Sequence, residues 1–180
     1  TGPGTDALCA RLRADGDEVT VFHANGFGGA AFTRWAENGA FKSVVDYTPH
    51  ELTRCYIAGV NAEMPGRFTV MGNVPRVILP GGVNFIGMGQ ADLMPEAYRA
   101  RPHYSHSPLF THVQCTADEV AKCANILGEA ITQATAPVRV LIPMGGFSSE
   151  DKPGGGIESM ALREVFRDTI SQHTNAISLA

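Results

Sequence analysis

At 180 residues, with 44% hydrophobic and 18% charged positions, the chain is long enough to bury one core of ordinary size and too short for two large domains. Lys plus Arg number 14 and Asp plus Glu 18, a formal charge of −4 with no basic run, which points away from nucleic acid as a partner. No apolar stretch reaches the roughly 20 residues that a membrane span needs, and the opening residues lack the regions of a signal peptide.

Cys9, Cys55, Cys115 and Cys123 form no CxxC pair and sit in periodic apolar segments. The expectation is a soluble, cytoplasmic chain with reduced, buried thiols. The 20 glycines and 11 prolines cluster behind short β-branched runs, where an α/β protein places its functional turns.

In chain order, apolar spacing predicts a helix over Asp6 to Ala14, then a strand Val19-Thr20-Val21-Phe22-His23 leading into the turn Asn25-Gly26-Phe27-Gly28-Gly29. A helix follows over Ala30 to Glu37, stopped by Asn38-Gly39, and a strand over Ser43 to Tyr47. Thr48-Pro49-His50-Glu51 carries a cap residue, a proline at the first helical position and a carboxylate three residues after the threonine. This capping-box pattern predicts a helix to about Val60. A short helix or turn is expected within Asn61 to Asn73, then the strand Arg76 to Leu79 and the loop Pro80-Gly81-Gly82-Val83-Asn84-Phe85.

Tyr104 to His106 reads as a short strand before Pro108, and a second capping box, Thr116 with Glu119, opens a helix from Ala117 to about Ala134. Val138 to Ile142 is a buried strand, Pro143 to Ile157 a glycine-rich loop, and Glu158 to about His173 an amphipathic helix with Met160, Leu162, Val165, Phe166 and Ile170 inward. The tail beyond it is expected to fray. Trp35, at helical spacing from Phe32, reads as core.

Strand, glycine loop and helix alternate, which predicts one α/β domain over residues 1–180: a mainly parallel sheet with helices on both faces, a Rossmann-like three-layer arrangement. The opening helix follows a turn-like Thr1-Gly2-Pro3-Gly4, so a first strand is expected from outside the chain.

Loops at the carboxyl ends of parallel strands line one crevice. Three glycine loops would converge there: Gly26, Gly28 and Gly29 in the first, Gly81 and Asn84 in the second, Gly145, Gly146, Ser148 and Asp151 in the third. Glycine amides approach an anion closely, and a helix N-terminus adds positive partial charge. The spacing is neither a dinucleotide fingerprint nor a P-loop, and it equally suits ordinary tight turns. Asp46 with Thr48 and Glu51 behind it suits ribose hydroxyls, a catalytic role or simple capping. His23 and His106 are candidate acid–base residues. His103, His106 and His112 lack the spacing of a zinc site, so no metal is expected, and no GxSxG elbow marks a serine nucleophile.

Taken together, His23-Ala-x-Gly26-x-Gly28-Gly29, Asp46-x-Thr48-x-x-Glu51, Pro80-Gly81 before Asn84, His106, and Pro143-x-Gly145-Gly146-x-Ser148-x-x-Asp151 resemble the Tm-one-like ATP-binding domain family over about residues 1–170. The resemblance implies that the chain is the second lobe of a two-lobed α/β protein, that it binds ATP or another nucleotide, and that it self-associates. The chain departs from the family pattern at Pro49 and His50, which stand for threonines, at Asn84 for an Asp, at Gly87 for an Asn, at Ser107 for an Asn and at His112 near an Arg position.

The expected function is binding of a small anionic ligand, a nucleotide such as ATP, at the carboxyl edge. Two alternatives stand beside it. One is an enzyme acting on a small carboxylate or phosphate ester through His23, Asp46, Glu51 and His106; the other is a protein-interaction or dimerisation module.

Overall fold

The computed structural model describes residues 2–60, 64–69 and 74–180. Its frame is a four-stranded parallel sheet flanked by helices, in the order β1 (Val44–Asp46), β2 (Arg76–Ile78), β6 (Val138–Pro143) and β7 (Ala176–Leu179). The α/β architecture expected from the sequence is therefore present. Alternate residues Val44, Asp46, Arg76, Ile78, Val140 and Ile142 are buried. On the same side lies a core built from Ile78, Val140 and Ile142 with Leu52, Phe68, Leu127 and Phe166, which come from four helices.

Those helices are α3 (Glu51–Tyr56), α4 (Pro65–Thr69), α6 (Ala117–Thr132) and α7 (Met160–Ile170); α1 (Gly2–Ala14) and α2 (Phe27–Glu37) precede them. In α6 the capping box forms as read: Thr116 Oγ1 accepts the Glu119 N–H and Glu119 Oε2 accepts the Thr116 N–H. In α7, Leu162, Phe166 and Ile170 turn inward, but Met160 at its first position is 48% exposed.

Four further expectations are corrected. Val19 to His23 forms no strand; Phe22 instead packs its ring against Phe32, Trp35 and Phe41, which draws the segment over α2. Trp35, expected as core, is half exposed and closes only the outside of that cluster. Thr48 and Glu51 form no capping box, because the Glu51 carboxylate is engaged by other elements, and the helix ends at Tyr56 rather than Val60. The tail does not fray: Ala176–Leu179 pairs with β6 as β7, which engages the backbone groups on that side of the strand. The region between Phe85 and His112, weakly patterned in sequence, folds as a second sheet.

That sheet is antiparallel, in the order β3 (Phe85–Met88), β5 (Phe110–Gln114), β4 (His103–Ser107), with a 3-10 turn at Ala91–Leu93 and α5 (Glu96–Arg99) between β3 and β4. The Tyr104–His106 strand is thus found within β4. One face of the sheet, with Ile86 and Val113, enters the core. The other carries Phe85, Gly87, Tyr104 and His112, since side chains alternate along strands and cross-strand partners share a face. A helix within Asn61 to Asn73 is present as α4; the Gly72-Asn73 turn lies outside the described residues.

All four cysteines are buried and none is disulfide-bonded. Among the described residues no helix is long and apolar enough to cross a membrane.

Candidate functional site

The loops after β1, β2 and β6 meet at one edge. A Cβ on Gly81 would press on the Tyr47 carbonyl and lie 3.1 Å from Thr48 Oγ1, so the loop after β2 runs directly against the loop after β1. The Gly82 N–H donates to the Phe147 carbonyl at 2.9 Å, joining the second loop to the third. The non-core face of the small sheet packs against these loops: Phe85 packs on His50 of the loop after β1, and a Cβ on Gly156 of the loop after β6 would lie 3.3 Å from Tyr104 Cβ.

Four rings pack in series along this face, the last three stacked. His50 and Phe85 have centroids 4.6 Å apart, Phe85 and His112 4.0 Å, and His112 and His106 4.7 Å. Tyr104 Oη shares a 2.7 Å hydrogen bond with His112 Nδ1. Burial, with His106 and His50 adjacent, pushes His112 down to about 4. Burial, with Arg54 and His23 adjacent, likewise pushes His50 down to about 4, so both rings are neutral at pH 7. Burial and the Glu150 carboxylate raise the Tyr104 phenol.

Two polar side chains at this edge are buried without a hydrogen-bond partner. Asn84 is 1% exposed and neither end of its amide is engaged; Ser148 Oγ is in the same state. Both side chains therefore keep hydrogen-bonding capacity that the described residues do not use.

The other expected residues divide into two groups. Gly145 is exposed with open space around it, Thr48 is half-buried, and His23 and His106 are exposed at the edge. In contrast, Asp46, Glu51 and Asp151 are buried and occupied. Asp46 receives both terminal nitrogens of Arg67 in a bidentate pair, and Glu51 lies 3.4 Å from the same guanidinium. Glu51 Oε1 also accepts the Gly26 N–H at 3.2 Å, while the Gly28 N–H donates to Asn25 Oδ1. The first glycine loop therefore does hold a carboxylate, but one supplied by the protein itself.

A Cβ on Gly29 would strike that carboxylate, and one on Gly28 the His23 carbonyl, so both glycines are required for close packing. Asp151 accepts the N–H groups of Phe147 and Ser159, each at 2.9 Å, and the Arg163 guanidinium, which fixes the third loop onto α7. Its carboxyl is nevertheless raised, because burial outweighs those partners. A Cβ on Gly146 would strike the Asp151 carbonyl.

Sequence reasoning missed Arg67, Arg163, His50, Tyr104 and Phe85. An arginine on the apolar face of a short helix signals a buried carboxylate partner, which applies to the first two. His50, Tyr104 and Phe85 converge only through the second sheet. Among the described residues no group of three or more His, Cys, Asp or Glu is arranged to hold a metal ion.

The model of the uncharacterised protein family UPF0261, C-terminal domain, matches residues 1–179. The chain is 29% identical over 178 residues to a UPF0261 protein of Clostridium tetani, covering 96% of the chain and 44% of that relative. It is 32% identical over 181 residues to one of Rhizobium meliloti, again covering 96% and 44%. The ToMV resistance protein Tm-1(GCR237) of Solanum lycopersicum is 30% identical over 156 residues, covering 86% of the chain and 21% of its own length. The chain thus spans less than half the length of these relatives, and it belongs to the UPF0261 family as its C-terminal domain.

Proposed function

We propose that the protein binds a small anionic ligand in the crevice between the three carboxyl-edge loops and the ring-bearing face of the small sheet. The observation that carries this reading is the buried, unpartnered Asn84 amide in the loop after β2, immediately before the strand that carries Phe85. An amide offers a ligand both a donor and an acceptor. ATP or another nucleotide, implied by the family resemblance, is one member of this class. The second lobe of a two-lobed protein is the corresponding proposal for the chain's place in its longer relatives.

The test is a thermal-shift screen of the intact protein against ATP, other nucleotides, phosphorylated metabolites and small carboxylates, with Asn84→Leu in parallel. A ligand that binds only the folded state raises the midpoint. Wild type is expected to shift with one class and the variant not to, while the variant's unliganded midpoint holds, because replacing an unsatisfied buried amide with an apolar group costs little. Absence of any shift, or the same shift in both proteins, overturns the reading.

A second reading is favoured by the Tyr104–His112 hydrogen bond: an enzyme acting on a small carboxylate or phosphate ester, with this pair in acid–base roles. Loss of turnover in His112→Asn, with ligand affinity retained, is the outcome it requires. Self-association is proposed through β1, which lies at the edge of the sheet. Sedimentation of the intact protein distinguishes dimer from monomer.

A further inference from the structure

The two faces of the parallel sheet are packed unequally. Val45, Val77 and Arg139 stand side by side across β1, β2 and β6, and Leu141 stands beside Ile177 across β6 and β7. Cross-strand partners share a face, so these five, with Leu179 two residues beyond Ile177, line the side opposite Ile78, Val140 and Ile142. None of the six is buried: Val45 is 37% exposed, Ile177 49% and Leu179 40%, while Val77 and Leu141 are half-buried. α1, whose Gly4 lies against the Tyr47 hydroxyl just past β1, buries only Cys9 of its own residues and leaves Val45 open.

A parallel sheet is ordinarily covered on both sides by helices, because its crossovers place them there. Here α3, α4, α6 and α7 all contribute to the core on one side. Aliphatic side chains from all four strands are left on the other as one strip, the mark of an interface rather than of a solvated surface. Arg139 interrupts that strip. Its guanidinium donates to the adjacent Val138 carbonyl at 3.3 Å, and among the described residues no carboxylate pairs with it.

Charge and length together select the occupant. A second copy docking by the same face would bring no anion to Arg139, since Asp46, the one acid in the four strands, lies on the packed face and is held by Arg67. The UPF0261 relatives, by contrast, extend well beyond the matched region: the chain covers 44% of the Clostridium tetani protein. We propose that the open face seats an amphipathic helix from the rest of the polypeptide, which lays aliphatic side chains on the strip and sets a carboxylate against Arg139. The proposal rests on the reading of the chain as one lobe of a longer protein, and it names the surface through which that lobe meets the remainder.

The test has two arms, both on the intact protein. The four native cysteines of the domain are buried, so Ile177→Cys adds a reporter thiol to the face, and Met160→Cys, at an exposed position on α7, is the control. With each labelling rate divided by that of the same variant in urea, Ile177→Cys is expected to react about tenfold or more slowly than Met160→Cys, because labelling waits for the helix to lift. In Arg139→Lys, which keeps the charge, a water-soluble carbodiimide condenses the new amine with a touching carboxylate and takes up the water released. Run on an equal mixture of unlabelled and isotope-labelled protein, peptide mapping is expected to find that link to a carboxylate outside residues 1–180, with both halves carrying the same isotope.

Labelling of Ile177→Cys as fast as that of Met160→Cys overturns the docking face. So does the absence of a link, a link to a carboxylate within residues 1–180, or a link joining the two isotopes, which makes the partner a second copy. In each case the reading of the chain as one lobe stands, provided that the intact protein is heavier than this domain. A mass no greater than that of residues 1–180 overturns both.

Discussion

Glu51 caps a helix that is not its own. Its Oε1 accepts the Gly26 N–H, 25 residues away at the N-terminus of α2, while its carboxylate faces Arg67 from α4. An anion at a helix N-terminus is favourable whether it comes from a ligand or from the chain, and here the chain provides it.

Removing that carboxylate should therefore be costly. Glu51 is fully buried, and Glu51→Ala is expected to destabilise by about 3 kcal/mol in urea denaturation, since it leaves a buried guanidinium half-matched and an amide unmet. Glu51→Gln keeps an acceptor for Gly26 and should cost clearly less. Equal losses would show that the charge alone matters.

Asp151 and Arg163 make a parallel case at the third loop, where the pair is 1% and 2% exposed. Asp151→Asn is expected to lose about 3 kcal/mol and to loosen residues 146–159, read as faster amide exchange at Phe147 and Ser159. A loss confined to stability, with those amides still protected, would mean that the pair does not anchor the loop.

The glycines separate packing from binding. Gly29→Ala brings a methyl onto the Glu51 carboxylate and should lower the melting midpoint. Gly145→Val meets open space and should leave the midpoint unchanged, so any loss of ligand response in it belongs to the crevice alone. A large drop in the Gly145→Val midpoint would remove that distinction.

Stability should fall as pH drops from about 6.5 to about 4. His50 and His112 have folded-state values near 4, below their unfolded value, so the unfolded chain takes up protons first and is lowered in free energy relative to the folded one throughout that window. Each ring contributes at most about 1.4 kcal/mol per pH unit, reduced by solvent screening because both are only partly buried. Denaturant midpoints of His50→Asn and His112→Asn measured across the window should show a shallower slope than wild type; an unchanged slope would assign the acid sensitivity elsewhere.

Local pattern in the sequence was enough for the alternating helices and strands, the Thr116–Glu119 cap, β2, β6 and α7, because each depends on neighbours within a turn or on β-branched runs. It was also enough to bring the loops of Gly81, Asn84, Gly145 and Ser148 to one sheet edge, since parallel topology dictates where such loops gather. It did not determine the partners of Asp46, Glu51 and Asp151. A buried carboxylate is satisfied by whichever cation or amide the fold delivers, and Arg67 and Arg163 arrive from helices remote from the loop motifs. Nor did it determine the ring wall, because His50, Phe85, His112 and His106 meet only when an antiparallel sheet with weak strand signals packs beside the parallel one. Val19 to His23 failed as a strand for the same reason: alternation proposes a strand, but only a neighbour offering a ladder of hydrogen bonds makes one.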